Sequence, residues 1–455
     1  MRALRTARRF AVPHWMIERA TAGRLAGDWR AACAAANVDV ELDDERAELF
    51  GDDLAHFAPD LLRWHQFQAP PATAGLTLAV HGRQALRVRP KHPGTPSRRL
   101  ELVSAPHDGS AAFPRERWDS RCTGELLERC GGYDGHLPGF TDTADRLPPA
   151  AWTDRERIIA AQDVGDWVLA WTLAGFDVGP LRAEISHGQW LDLLMRAGTH
   201  NLPQLRADAV GRRELVVRIG GHGGYQGVPL RIDADLRVWR GAGVVSPAEV
   251  PAVRAERPVD FDLVRRGILP LEDLHPLVGD ALFPGLAGLF EGTPETVPDM
   301  APVRVRCQGE WHILGGHRHT AEETRRKLAL RALGGAPLRG CLAARAGWRD
   351  PDAWTPKALR LRRRDIVLHA VNGDGPAIAA WLDAGLDPHL LDHEGRTMLH
   401  LIAWLPDPGP VLARLRHAGL DPDARDRSGL TPLEHALTRG GTPAAIHALR
   451  GLGGR

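Results

Sequence analysis

The stretch AGLDPHLLDHEGRTML, residues 384–399, returns 34 residues later as AGLDPDARDRSGLTPL, residues 418–433, without a gap. Each copy repeats one physical grammar. Gly385 and Gly419 suit the left-handed residue that follows a helix end, and Pro388 and Pro422 keep that helix from restarting. Gly395 and Gly429 mark a turn, after which Thr397 and Thr431 are placed to accept a hydrogen bond from the free backbone N–H groups of a new helix. In the later copy Pro432 takes the first helical position and Glu434 completes a T-x-x-E capping box. A short helix, a polar break (PDPG at 406–409, RGGT at 439–442) and a second amphipathic helix such as PVLARLRHAGL (410–420) close the unit. DIVLHAVNGDGPAIAAWLDAGLDP (365–388) has the same layout with a weaker start.

These residues make the segment resemble the ankyrin repeat, whose period is about 33 residues around a T-P-L-H core. Thr397, Leu399 and His400 stand at the T, L and H places, and Thr431, Pro432 and Leu433 at the T, P and L places. Met398 replaces the proline, Glu434 the histidine, and the earliest copy keeps only Leu368 and His369. The resemblance covers about 365–455 and implies a C-terminal α-solenoid of about three repeats. It also implies that His369 and His400 are structural, tying neighbouring loops, and that partner contacts come from the turn tips and first helices. Asp392, His393, Glu394, Arg396, Asp426, Arg427 and Ser428 are then expected at exposed, partner-binding positions. Three units are near the lower limit for a free-standing stack, so the first is expected to lean on the preceding domain, with LRLRRRD (359–365) at the join or on a solvated helix face.

Towards the N-terminus GDWRAACAAANVDV (27–40) and GDWVLAWTLAGFDV (165–178) echo the same helix-then-turn pattern, so 13–37 and 151–178 read as helical hairpins. WLDLLMRAGTHN (190–201) ends similarly, and Thr153 with Glu156 makes another capping box. Elsewhere LTLAVHGRQALRVRP (76–90), ELVVRIGGHGGYQGVPLRIDADLRVW (214–239) and VRVRCQGEWHIL (303–314) alternate apolar and polar residues around glycine turns, the mark of β-hairpins. Thr320 and Glu323 start a further helix. The expected fold is an α+β body of helical hairpins and small antiparallel sheets, followed by the solenoid. Its segments are a helical N-terminus with an ankyrin-like hairpin (1–70), a β-hairpin and loop region (71–150), helical hairpins (151–210), an α+β region (211–350) and the repeats (355–455).

Bulk composition fits a soluble protein of two or three domains, with 43% hydrophobic and 25% charged residues in a chain of 455. A formal charge of +1 gives no global attraction to nucleic acid or anionic membrane, and a nucleic-acid partner is not expected. Lysine occurs only at Lys91, Lys327 and Lys357, an arginine bias typical of a GC-rich bacterial genome. Five cysteines without a CxxC pair argue for reduced thiols and a cytoplasmic location. The basic start MRALRTARRFAVPHWMIERA lacks the apolar run of an export signal, and no segment reaches eighteen continuous apolar residues, so no membrane association is expected.

A search for chemistry gives little. GGHGGYQG (220–227) lacks the lysine and hydroxyl residue of a phosphate-binding loop and joins two strands. Cys307, His312, His317 and His319 are close in sequence, but strand alternation puts Cys307 and His312 on opposite sides of the Gln308–Gly309 turn with no repeated ligand pair, and a zinc site is not expected. Cys122 and Cys130 read as packing residues. The pairs Asp43–Asp44 and Asp52–Asp53 read as exposed, and no hydrolase, metalloprotease or dinucleotide motif is present, so no catalytic residue and no cofactor is expected. The functional expectation is therefore a bacterial adaptor that docks an unknown protein. Two other readings are an enzyme with its site around 214–240 and 303–320, and a nucleic-acid binder using Arg360, Arg362, Arg363 and Arg364 with Arg2, Arg5, Arg8 and Arg9.

Overall fold

One dipeptide, Gly-Asp, closes three helical hairpins in the same way. At 27–28, 165–166 and 373–374 the glycine has φ of 73°, 78° and 82°, a conformation that a side chain would strain. The aspartate N–H of each returns to a carbonyl five residues back, Asp28 to Gly23, Asp166 to Ala161 and Asp374 to His369, at 2.8–2.9 Å, which finishes the first helix. The same aspartate's carboxylate then accepts from the backbone of Ala31, Leu169 or Ala377 and caps the second helix. The hairpins so formed are His14–Leu25 with Trp29–Ala35, Asp154–Asp163 with Trp167–Leu173, and Lys357–Val371 with Gly375–Asp383. The sequence echo between 27–40 and 165–178 is thus an echo of turn geometry.

The computed structural model describes residues 2–66, 75–184, 200–219, 228–241, 249–250, 256–286, 288–290, 302–307, 309–314, 319–334 and 338–452. The glycine-rich loop 220–227, most of 190–201 and His317 lie outside them. The chain divides into two compact units, residues 1–89 with 101–294 and residues 90–100 with 295–455. Among the described residues no helix is long and apolar enough to cross a membrane.

The first unit surrounds two small sheets with helices. Strands β1 (Val38–Glu41), β2 (Leu76–His81), β3 (Gln84–Pro90) and β4 (Leu100–Pro106) form one sheet in the order β1-β4-β3-β2. Strands β5 (Glu214–Ile219), β6 (Val228–Asp233), β7 (Val238–Arg240) and β8 (Glu249–Val250) form the other in the order β7-β6-β5-β8. The β2–β3 and β5–β6–β7 pairings are antiparallel, as alternation indicates, whereas the short β8 pairs parallel to β5. Leu215, Val217, Leu230, Ile232 and Val238 point from the second sheet into a core completed by Trp167, Trp171 and Leu205.

A buried ion pair fastens the basic helix Arg2–Ala11 into this unit. The Arg8 guanidinium donates to both carboxylate oxygens of Asp260, at 2.6 and 3.0 Å, and lies over the Trp64 ring, whose indole N–H donates to the same carboxylate at 3.0 Å. Neither charge reaches solvent. His65 lies beside them, and burial pushes its imidazole well below the ordinary value, with Arg8 adding to the shift.

In the second unit β9 (Arg304–Cys307) and β10 (Glu310–Ile313) form an antiparallel hairpin. It is followed by helices Ala321–Ala332 and Gly340–Trp348 and then by the paired helices of the C-terminal region. Lys357–Val371, Met398–Leu401 and Pro432–Thr438 pack in one row, with Gly375–Asp383 against Gly409–Leu415 behind them. A single apolar core runs from Val303, Val305 and Cys307 through Trp348, Ile366 and Leu399 to Leu449. The helix of the earliest C-terminal copy begins at Lys357, eight residues before the start read from sequence, and LRLRRRD lies inside it.

Removing one partner of a buried ion pair leaves the other uncompensated. Asp260→Ala is expected to cost about 3–5 kcal/mol, and Arg8→Met with Asp260→Leu to recover much of that. Urea unfolding of the three proteins checks this; equal midpoints for Asp260→Ala and the parent would refute it.

Candidate functional site

The sequence reading put seven turn residues at the surface, and the structure divides them. His393, Glu394, Arg427 and Ser428 are exposed, whereas Asp392, Arg396 and Asp426 are buried. The reason is local. The Asp392 carboxylate accepts from the backbone N–H of Glu394 and Arg396 at 2.9 Å each and pairs with the Arg396 side chain at 2.6–2.7 Å. Asp426 does the same for the N–H groups of Ser428 and Leu430, at 2.8 and 3.0 Å. An aspartate that closes its own loop must turn inwards, because the donors it satisfies lie inside the turn. Arg396 follows it and lies over the Trp404 ring. These three residues form the frame, and the two residues between Asp and Gly in each loop form the surface.

A third loop of this kind precedes the two visible in the sequence. In RDPDAWTPK (349–357) the Asp350 carboxylate accepts from Asp352 N–H at 3.0 Å, and Thr355 and Pro356 lead into the helix at Lys357. The shared signal is D-x-x-[GA]-x-T, met at Asp350, Asp392 and Asp426. Repeat alignment misses it because the helix Lys357–Val371 is 15 residues long and breaks the period of 34. At the first tip Trp354 stands 59% exposed.

The loops are tied to each other. Leu391 N–H donates to Trp348 carbonyl at 3.0 Å, and Arg427 N–H to Glu394 carbonyl at 2.8 Å. His400 Nε2 lies 3.0 Å from the Leu430 carbonyl while its Nδ1 accepts from Thr397 N–H at 3.1 Å, so one neutral imidazole caps its own helix and holds the next loop. His369 has a different partner, the turn carboxylate of Asp374 at 2.8 Å. Thr431 and Glu434 form the expected capping box, Leu399 is buried, Pro432 is buried with Leu433 beside it, and Gly385 and Gly419 have φ of 90° and 65°. Arg427 pairs with Asp352, linking the third tip to the first.

Two of the arginines read as a nucleic-acid patch are spent inside the fold. Arg8 is spent on Asp260, and Arg363 is buried with its guanidinium donating to the Gly347 carbonyl. Asp53 is also buried, contrary to its exposed reading, because His81 at 2.7 Å and Arg115 cover it. Among the described residues, one cleft at Leu399, Leu415 and Leu452 and another at Trp152, Glu156 and Arg265 enclose about 120 and 150 Å³. Small-molecule sites enclose roughly 300–1,000 Å³.

A second constellation sits at the β9–β10 hairpin. Cys307 faces Glu310 and His312 faces Val305, so both side chains fall on the buried face of the hairpin. The turn does separate them along the chain, as read from sequence, but directly opposed residues of antiparallel strands share a face, and this register makes Cys307 and His312 diagonal neighbours. His319 and Cys341 complete a group of four whose donor atoms all lie within 4.8 Å of one another. Cys341 has no place in the sequence reading because it lies 22 residues beyond His319.

Neither models of known protein families nor curated protein sequences match this chain.

Burial holds His400 below its ordinary value and pushes His435 down to about 4, with the neighbouring His400 adding to the latter. Both are below the unfolded value of about 6.5. Between about pH 6.5 and 4 the unfolded chain therefore binds more protons, so this contribution to stability is full above about 6.5 and is lost as the pH falls through that window. Urea midpoints measured from about pH 7 to about 4.5 should fall, and fall less in His435→Leu. An identical pH dependence in both proteins would remove His435 from the account.

Proposed function

We propose that this is a cytoplasmic adaptor whose C-terminal helical unit is an ankyrin-type stack that docks a protein partner through its loop tips. The observation that carries the reading is the division of labour within D-x-x-[GA]-x-T. The aspartate, the threonine and the backbone hold each loop, which leaves His393 and Glu394 on one tip and Arg427 and Ser428 on the next without a role in holding the loop backbone through their side chains. Loops fixed to one another by backbone hydrogen bonds present such residues with little ordering cost on binding, which is the general advantage of a preorganised surface. Trp354 adds an exposed aromatic on the first tip, the residue type that most often anchors protein interfaces. Acidic Asp352 and Glu394 beside basic Arg427 favour a partner with mixed polar and charged surface over a polyanion.

The test separates surface from frame. Replacing Trp354, His393, Glu394 and Arg427 together by alanine should cost little stability, since exposed ion pairs are worth about 0–1 kcal/mol, yet should reduce partner capture at least tenfold if Trp354 is an anchor. Leu399→Ala should cost about 2–5 kcal/mol and loosen the stack as a whole. Affinity capture from the native host with both variants and the parent, followed by quantitative mass spectrometry, reads the difference. If the four-residue variant melts normally and retains the parent's partners undiminished, the tips are ordinary solvated surface and docking through them is wrong.

A further inference from the structure

We propose that Cys307, His312, His319 and Cys341 bind one zinc ion in a closed tetrahedral site that locks the β9–β10 hairpin onto the first end of the C-terminal helical stack. The inference is independent of any partner and rests on geometry. His312 Nδ1 lies 3.3 Å from His319 Nε2, Cys307 Sγ lies 3.5 Å from His319 Nε2, and Cys341 Sγ lies 3.6 Å from His312 Nδ1. Zinc bond lengths of about 2.3 Å to sulfur and about 2.05 Å to nitrogen, set at the tetrahedral angle, require about 3.3 Å between two nitrogens and about 3.6 Å between sulfur and nitrogen. Three of the six edges of a zinc coordination shell are therefore already at the required spacing, and all four donor atoms lie within 4.8 Å of one another.

The surroundings support the same reading. His319 Nδ1 faces the Glu323 carboxylate at 3.3 Å, and that carboxylate is held in turn by Lys327 at 2.6 Å. Glu323 follows Thr320 by three residues and could have completed a capping box, but its carboxylate is directed to His319 while Thr320 caps Glu323 N–H alone. With Nδ1–H donated outwards, the Nε2 lone pair of His319 points into the cluster. His312 turns Nδ1 inwards, and its Nε2 lies on the side of the Glu310 carboxylate, 3.9 Å from the nearer oxygen and beyond hydrogen-bond reach. Two imidazole lone pairs opposed at 3.3 Å repel each other unless a cation or proton lies between them, and a carboxylate behind a histidine is the usual outer support of a metal-bound imidazole. Gly340 lets the backbone come this close, because a Cβ there would stand 2.6 Å from Cys307 Sγ, and its φ of 59° suits glycine.

Two thiolates and two imidazoles in tetrahedral array select zinc over the oxygen-seeking cations. Four protein ligands, three of them on buried residues, leave no open position for a reacting molecule, so the ion is structural. It joins the hairpin, the segment leading into helix Ala321–Ala332 and the start of helix Gly340–Trp348. Val303, Val305, Cys307, Cys341 and Trp348 belong to the same apolar core as the stack, so the cross-link fixes a lid over the end of a helical array that would otherwise expose apolar surface.

The experiment uses the full chain purified with its thiols reduced. Elemental analysis should give about one equivalent of zinc, and Co(II) exchanged into the site should show the intense visible bands of tetrahedral coordination with thiolate charge transfer. Cys307→Ser and Cys341→Ser should each lose the metal, whereas Cys130→Ser should retain it. Glu323→Gln, which leaves all four ligands in place, should fold and bind zinc about 10–100-fold more weakly. Removal of the metal by a chelator should lower the melting temperature of the parent and leave that of Cys307→Ser unchanged. If a ligand variant fails to fold, the Co(II) titration of the parent still decides: octahedral spectra, or metal content far below one equivalent that zinc titration does not raise, would overturn the site.

Discussion

A helix of seven to nine residues is not stable by itself in water, because nucleation consumes most of what so few backbone hydrogen bonds return. Helices Trp29–Ala35, Trp167–Leu173 and Gly375–Asp383 are of this length. They depend on the Gly-Asp turn that ends one helix and caps the next, since it satisfies backbone groups that both helix ends would otherwise leave bare. Much of the remaining architecture follows from that constraint. Hairpins fixed at one end can bury an apolar face only against a neighbour, which in the second unit produces a single core from Val303 to Leu449.

The same economy governs the loops. An aspartate that satisfies two backbone donors, at Asp392 and again at Asp426, frees the loop from needing side-chain support at its tip. Side chains at the tip can then vary without cost to the fold, while the Asp and Thr that all three loops share cannot. The neutral imidazole of His400 continues this frame from one loop to the next, and it works only while Nδ1 is an acceptor. Protonation at that nitrogen would remove the acceptor for Thr397 N–H.

Local chemistry was the part of the fold most legible in the sequence. Capping boxes at Thr153 and Thr431, the left-handed Gly385 and Gly419, the helical hairpins and the β5–β6–β7 strands are fixed by neighbours within a few residues, and periodicity reports them. The family resemblance places every one of these turn residues at the surface, but Asp392, Arg396 and Asp426 satisfy one another or the backbone, and a paired charge can be buried. The loop at Asp350 escaped because a longer helix shifts the next copy out of phase. The pairing of β1 with β4 and of Arg8 with Asp260 joins residues 59 to 252 positions apart, and no local pattern carries that information.

The Cys and His cluster shows why register outweighs spacing. Its order, C-x4-H-x6-H-x21-C, has none of the close ligand pairs that mark zinc sites in sequence. Each close pair is supplied instead by tertiary structure: a hairpin register sets Cys307 diagonal to His312, and a glycine-led helix brings Cys341 against the same strand. A shift of one residue in β9–β10 would turn His312 to the solvent face and bring Trp311 inwards. The apolar Val305 on the buried face opposes that shift without any metal, so the register that presents the ligands together does not depend on the ion. Ligands held in place before binding lose little freedom when the ion arrives, so the packing that hides this site from a sequence search is also what prepares it to bind.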